Sequence, residues 1–153
     1  MAGRLGPGDP APDFDLLAPP GRKIKLSNLI GDRHVVLYFY PKDDTPGCTQ
    51  EARDFAARIG EIRDLGAEVL GVSVDTLESH EAFQRKHDLT FPLLSDLNSL
   101  VCGNYRVLND KGTMADRVTY LIGKDGLIQK VWDPVNVATH VGEVIAALKE
   151  LQS

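Results

Sequence analysis

An unbroken apolar run, Val35-Val36-Leu37-Tyr38-Phe39-Tyr40, stops at Pro41 and soon gives way to a pattern of helical period. A short stretch of β-branched and aromatic residues closed by proline reads as a strand buried on both faces. The helix that follows can be placed residue by residue. Thr45 is a good N-cap and Pro46 suits the first helical position, where no N–H is needed. Cys48 is then the third helical residue, whose amide the Thr45 hydroxyl could accept. Ala52, Phe55, Ala56, Ile59, Ile62 and Leu65 recur at helical spacing, and Gly66 is a stop. Cys48 shares the inward face with Ala52 and Phe55, four and seven residues on, which predicts a thiol at the bottom of a depression.

A cysteine on an apolar helical face is ordinarily a small hydrophobe. Here it falls in the first turn of a helix standing at the end of a strand. Helix N-termini carry partial positive charge and open amide donors, which favour thiolate over thiol. The Pro-rich lead-in and the Thr cap argue in the same direction, towards a nucleophile; spacing alone would not decide it.

Pro41-x-x-x-Thr45-x-x-Cys48 resembles the active-site signature of the peroxiredoxins, thiol peroxidases built on a thioredoxin-like fold. The wider run from Tyr38 through Pro41-Lys42-Asp43-x-Thr45-Pro46-Gly47-Cys48-Thr49-x-Glu51 is similar to the peroxiredoxin Q branch, or bacterioferritin comigratory proteins. The likeness covers nearly the whole chain. It takes in Gly3 to Phe14 (Pro10-x-Pro12-x-Phe14), Gly71-Val72-Ser73-x-Asp75, Phe91-Pro92-Leu93-Leu94-Ser95-Asp96 and Arg117-x-Thr119-Tyr120-Leu121-Ile122.

The resemblance implies a chemistry. A Cys48 thiolate would attack one peroxide oxygen, expel water or an alcohol and become a sulfenic acid. Thr45 would donate a hydroxyl, Arg117 would be the fixed cation, and the Cys48 amide a further donor to the separating oxygens. Pro41 would shield the thiolate and restrict its loop. An arginine suits this task because it stays charged and offers a rigid fork of donors; without the motif, Arg117 would read as a solvated charge at a strand start. Gly47 and Glu51 belong to the branch signature without an assigned role, although Glu51 favours the helix dipole from the first turn.

Members of this branch often carry a second, resolving cysteine, five residues after the first or in the following helix. Those places here hold Arg53 and the neighbourhood of Phe83-Gln84, none of them a thiol. The remaining cysteine, Cys102, lies in an expected short helix over 98–105 capped by Ser95 or Asp96, and its neighbours suggest a structural, half-buried thiol. The reading is therefore a one-cysteine cycle regenerated by an external thiol: thioredoxin, glutaredoxin or a small thiol. The alternative is a two-cysteine cycle with Cys102 as resolving residue. Two other classes stay open: a thiol–disulfide exchange enzyme, disfavoured because Thr45 stands where a C-x-x-C motif needs sulfur, and a non-catalytic interaction or holdase module.

The 153 residues suit one domain, 1–153, able to bury about 68–70% of its unfolded surface. A net charge of −5 argues against nucleic acid or an anionic membrane as partner. Two cysteines make no disulfide framework, the N-terminal residues lack the apolar core of a signal peptide, and nothing approaches the ~20 apolar residues of a membrane span. A cytoplasmic protein with no cofactor is expected, and the branch resemblance implies a monomer.

Further strands are expected near Phe14–Leu17, Lys23–Leu26 and Ala67–Val74, with a helix capped by Thr76 and running to about His87. Val118–Ile122 and Leu127–Trp132 flank a hairpin turn at 123–126. Val141, Val144, Ile145, Leu148 and Leu151 mark a closing helix. A parallel β-α-β unit followed by an antiparallel hairpin predicts an α/β, thioredoxin-like fold, a mixed central sheet with helices on both faces. Cys48 then lies beyond the carboxyl end of a strand, where open α/β sheets hold their sites. His34, His80, His87 and His140 have no zinc spacing, and His80 and His87 read as solvated. Asp43-Asp44 reads as turn formation, and Tyr38, Tyr40 and Trp132 as packing.

Overall fold

A computed structural model describes residues 3–152. Met1, Ala2 and Ser153, the ends of the expected domain, lie outside the described residues. The elements are β1 (Asp15–Ala18), β2 (Arg22–Lys25), β3 (His34–Phe39), α1 (Pro46–Ala57), α2 (Ile59–Asp64), β4 (Ala67–Ser73), α3 (Leu77–His87), β5 (Leu93–Ser95), α4 (Leu100–Asn104), β6 (Val118–Ile122), β7 (Ile128–Trp132) and α5 (His140–Gln152). The seven strands form a single sheet in the order β2-β1-β5-β4-β3-β6-β7. β3 and β5 run parallel to β4, while β6 and β7 are antiparallel additions on one side and β1 and β2 on the other. The mixed thioredoxin-like sheet is as expected.

Central β3 explains how one strand serves two cores. Its side chains alternate across the sheet. Val36, Tyr38 and Tyr40 join Cys48, Phe55, Ile62, Val144 and Leu148 beneath α1, α2 and α5. Val35, Leu37 and Phe39 point the other way, joining Phe14, Leu26, Cys102, Tyr105 and Tyr120 under α4 and the N-terminal segment. On the first face Tyr38 stacks on Phe55 at 4.9 Å and on Tyr40 at 5.4 Å. Burying a side chain such as Phe55 contributes on the order of 2–3 kcal/mol, so α1 is pinned to the sheet close to Cys48.

Several expectations need correction. The helix predicted from Pro46 to Leu65 is two helices, interrupted at Arg58 (φ −119°, ψ 18°). The interruption lies next to Gly60, a weak helix former, and it lets Ile62 turn fully into the core. Gly66 does end the pair, with φ +78°. β5 carries no sequence signal: three residues between Pro92 and Asp96 are too few to show a period. α3 begins as predicted, the Thr76 hydroxyl accepting from the Ser79 amide at 3.1 Å. α4 is capped by neither Ser95 nor Asp96 in position; Ser99 is the cap residue, at φ 62°. Asp96 nonetheless reaches forward to accept from the amides of Val101 and Cys102 at 3.2 and 2.8 Å. In α5 Val141, Val144, Ile145 and Leu148 are buried, whereas Leu151 is exposed.

Candidate active site

β3 delivers the chain to Pro41, and the loop that follows turns through Asp44 in the left-handed region (φ 58°) to start α1. Thr45 occupies the N-cap with extended backbone, and its carbonyl accepts the first helical bond, from Thr49 N at 2.8 Å. Its hydroxyl does not cap the helix as predicted. It donates instead to the Lys42 carbonyl at 2.9 Å, closing the loop on itself. As a first-turn amide, Cys48 N–H has no intrahelical acceptor and stays available as a donor.

Cys48 is on the inward face of α1, yet 1% exposed, enclosed rather than at the base of an open depression. Its polar neighbour is Arg117, the residue before β6. Nη2 donates to Cys48 Sγ at 3.2 Å, and Nη1 donates to Glu51 Oε1 at 2.8 Å. One guanidinium fork thus spans a thiol and a carboxyl set one turn apart on the same helix. The Arg117 side chain keeps 22% of its surface exposed, so the site reaches solvent there. Gly47 also finds its reason: a Cβ would stand 3.0 Å from Arg117 Nη2. The structure therefore brings together Cys48, Arg117, Glu51 and Gly47. Pro41 is half-buried at the mouth of the loop, and Thr45 turns its hydroxyl away.

Behind this pair the site is buried and polar. Burial pushes the Glu51 carboxyl up to about 7, against the pull of Arg117. Its Oε2 has no hydrogen-bond partner and lies 3.8 Å from His140 Nε2 at the start of α5. His140 is held down to about 4 by burial and by Arg117. Its Nε2 pairs with Thr119 Oγ1 at 2.8 Å, and Nδ1 is unpaired. Tyr38 Oη, also buried and unpaired, is kept protonated by burial and by the acids Glu51 and Cys48.

The loop is fastened by a second buried cluster. Asp43, expected in an open turn, is buried; it accepts from Tyr40 Oη at 2.6 Å and Ser79 Oγ at 2.8 Å and pairs with His80 Nδ1 at 2.7 Å. Its own amide donates to Asp75 at 2.8 Å. His80 is therefore fully buried, not solvated, because α3 packs its first turns on the loop. Asp44 remains outside, bonded to Lys86 and His87. Asp43, Asp75 and His80 lie close enough to share an ion, but each is engaged in bonds within the cluster.

Cys102 is fully rather than half buried, on the opposite face of the sheet from Cys48, and burial together with Asp96 pushes its thiol well up. Both cysteines are free. Two of the residues that motif reading left without a role, Gly47 and Glu51, are thus explained by Arg117. A carboxylate on the apolar stripe of α1 was the legible signal for Glu51; His140, distant in sequence, had none.

Thiol, guanidinium and buried carboxyl thus converge beyond the end of β3, in a chain whose family and relatives are those of a thiol-dependent peroxidase. The model of the AhpC/TSA family matches residues 7–131, and the chain belongs to that family. Within it, several relatives carry the names peroxiredoxin Q or Bcp. The chain is 42% identical over 147 residues to a putative peroxiredoxin Bcp of Coxiella burnetii, covering 92% of this chain and 97% of that one. Among solved structures it resembles the peroxidoxin BcpB of Mycobacterium tuberculosis, with a TM-score of 0.91 at 31% identity over 97% of this chain and 99% of that one. It also resembles the Xanthomonas campestris bacterioferritin comigratory protein, studied for alkyl peroxide reduction, with a TM-score of 0.85 at 36% identity over 92% of each chain.

Proposed function

We propose that this single-domain protein reduces hydrogen peroxide and organic hydroperoxides at Cys48 through a one-cysteine cycle. The Cys48 thiolate attacks the terminal peroxide oxygen, the O–O bond breaks, and a sulfenic acid forms as alkoxide or hydroxide leaves and is protonated. Arg117 stabilises the charge on sulfur and on the departing oxygen, with the Cys48 amide and the Thr45 hydroxyl as further donors once peroxide is bound. Pro41 shields the sulfur from bulk water. An external thiol, thioredoxin, glutaredoxin or a small thiol, then attacks the sulfenic sulfur and a second thiol equivalent releases the reduced enzyme. The protein acts as a cytoplasmic monomer in this reading.

The 3.2 Å contact between Arg117 Nη2 and Cys48 Sγ carries the proposal, because a buried thiol needs such a cation to react as an anion. Burial of Cys102 on the far face of the sheet supports the one-cysteine form over a cycle with Cys102 as resolving residue. The alkyl peroxide reduction activity of the Xanthomonas protein supports organic hydroperoxides as substrates. Mass spectrometry after one equivalent of peroxide, with and without thioredoxin, tests it. One added oxygen on the Cys48 peptide is expected, removed by thioredoxin; loss of two hydrogens in a Cys48–Cys102 disulfide would overturn the one-cysteine form.

A further inference from the structure

We propose that Cys48 and Glu51 share Arg117 as a single counter-ion and therefore exchange one proton, with Glu51 storing it while Cys48 is a thiolate and giving it up when Cys48 is oxidised. The inference deepens the peroxidase reading and rests on it.

Arg117 holds both acids in one fork, Nη2 to Sγ at 3.2 Å and Nη1 to Oε1 at 2.8 Å. Sulfur and carboxyl are both essentially out of water. A buried cation compensates one buried anion well and a second poorly. Among the described residues, the other groups facing Glu51 supply no second positive charge. From β3 comes Tyr38, whose buried hydroxyl stays neutral; from β6 comes Thr119; from α5 comes His140, neutral above about pH 4. Asp54, on the same helix, adds negative charge and disfavours ionisation of Glu51 further.

The surroundings of the two carboxyl oxygens favour a proton on Oε2. Glu51 Oε1 is used by Arg117, whereas Oε2 is buried, unpaired and 3.8 Å from His140 Nε2. An ionised carboxylate would leave a bare anionic oxygen there, whereas a protonated one presents an O–H towards the His140 and Thr119 pair. Its titration near neutrality agrees with this placement.

Each step balances. In the reduced enzyme, Cys48–SH and Glu51–COO⁻ become Cys48–S⁻ and Glu51–COOH, leaving the cluster with one cation and one anion. In the oxidation, Cys48–S⁻, ROOH and Glu51–COOH become Cys48–SOH, ROH and Glu51–COO⁻. Sulfur supplies the electron pair, the O–O bond breaks, and the alkoxide receives the proton that Glu51 loses, with solvent as carrier because Glu51 touches no reacting atom. The cluster is again left with one cation and one anion. Glu51 is a positioning residue, acting through Arg117 on the sulfur.

Infrared difference spectroscopy of the reduced against the peroxide-treated protein at neutral pH reads this directly, with mass spectrometry on the same sample to establish that Cys48 carries one oxygen. The expected result is loss of the carbonyl band of an un-ionised carboxyl on oxidation and its absence from the Glu51→Gln protein. If that variant fails to fold, ¹³C-glutamate in the wild-type protein assigns the band to a glutamate, and among the described residues Glu51 is the buried one that keeps its proton near neutrality. Oxidation of Cys48 with no change in that band, or a band that survives in Glu51→Gln, overturns the inference and leaves the peroxidase reading intact. A sample in which Cys48 gains no oxygen overturns both.

Discussion

Gly47 and Arg117 meet so closely that a Cβ on the glycine would lie 3.0 Å from Nη2. Replacing a first-turn glycine by alanine ordinarily stabilises a helix by roughly 0.5–1 kcal/mol. Here the methyl must push a guanidinium that is anchored at both ends. Gly47→Ala is expected to leave the thermal unfolding midpoint unchanged or higher and to slow Cys48 oxidation about 10-fold, as read by stopped-flow with hydrogen peroxide. An unaltered rate would show that the guanidinium adjusts without loss.

Arg117 itself is the sharper test. Arg117→Met should slow oxidation by ~10², the scale of losing one preorganised donor at a developing anion. Arg117→Lys should recover only part of this, because an ammonium cannot bridge Cys48 and Glu51 with a planar fork. Full recovery by lysine would reduce the role of Arg117 to charge alone.

Cys102 packs against the face of the sheet that Cys48 does not share. Cys102→Ala should leave thioredoxin-supported turnover intact and cost about 1–2 kcal/mol in denaturant unfolding. Cys102→Ser should cost more, by burying a hydroxyl among apolar side chains. Turnover abolished in either variant, with the first oxidation of Cys48 preserved, would restore Cys102 as the resolving thiol.

Glu51 and His140, both buried, oppose one another in their effect on stability. Glu51 keeps its proton up to about pH 7 in the fold and about 4.5 unfolded, so the native state binds more protons in between and loses stability as pH rises through that window. His140 takes a proton only below about 4 in the fold but near 6.5 unfolded, so the unfolded chain binds more and stability rises with pH up to 6.5. The slopes cancel between 4.5 and 6.5 in the wild-type protein. Glu51→Gln removes one of them, and its unfolding free energy should climb across that range by up to ~3 kcal/mol. Chemical denaturation at a series of pH values checks this, and a flat profile for the variant would contradict the assignment.

Asp43 ties the loop before Cys48 to α3 through His80 and Ser79. Removing its charge while leaving the partners buried should cost about 3 kcal/mol. Asp43→Asn should therefore lower stability by that amount and speed amide exchange in the first turns of α3. Protection equal to wild type would mean that packing alone seats that helix.

Local periodicity made most of the fold legible. The alternation along β3, the Thr76 cap, the turn at 123–126 and the apolar stripe of α5 each depend on residues a few positions apart, and each lies where the pattern puts it. What escaped depends on partners far along the chain. Arg58 breaks a helix whose apolar spacing continues straight through it. His80 looks solvated until Asp43, 37 residues earlier, is seen folded against it. The Thr45 hydroxyl had two acceptable partners within reach and took the carbonyl three residues back. At the site, Cys48 and Arg117 were recognisable from motif, but their shared carboxyl needed coordinates, because nothing in the order of residues says that β6 brings the guanidinium across to Glu51.

The sheet between the two sulfurs also bears on how the protein fails. In the proposed one-cysteine cycle an oxidised Cys48 waits for a second molecule, and while it waits another oxidant can carry it to the sulfinic acid, from which ordinary thiols do not rescue it. Its survival is then a race between ambient reductant and ambient oxidant, and permanent inactivation becomes a record of the moment the reductant ran short.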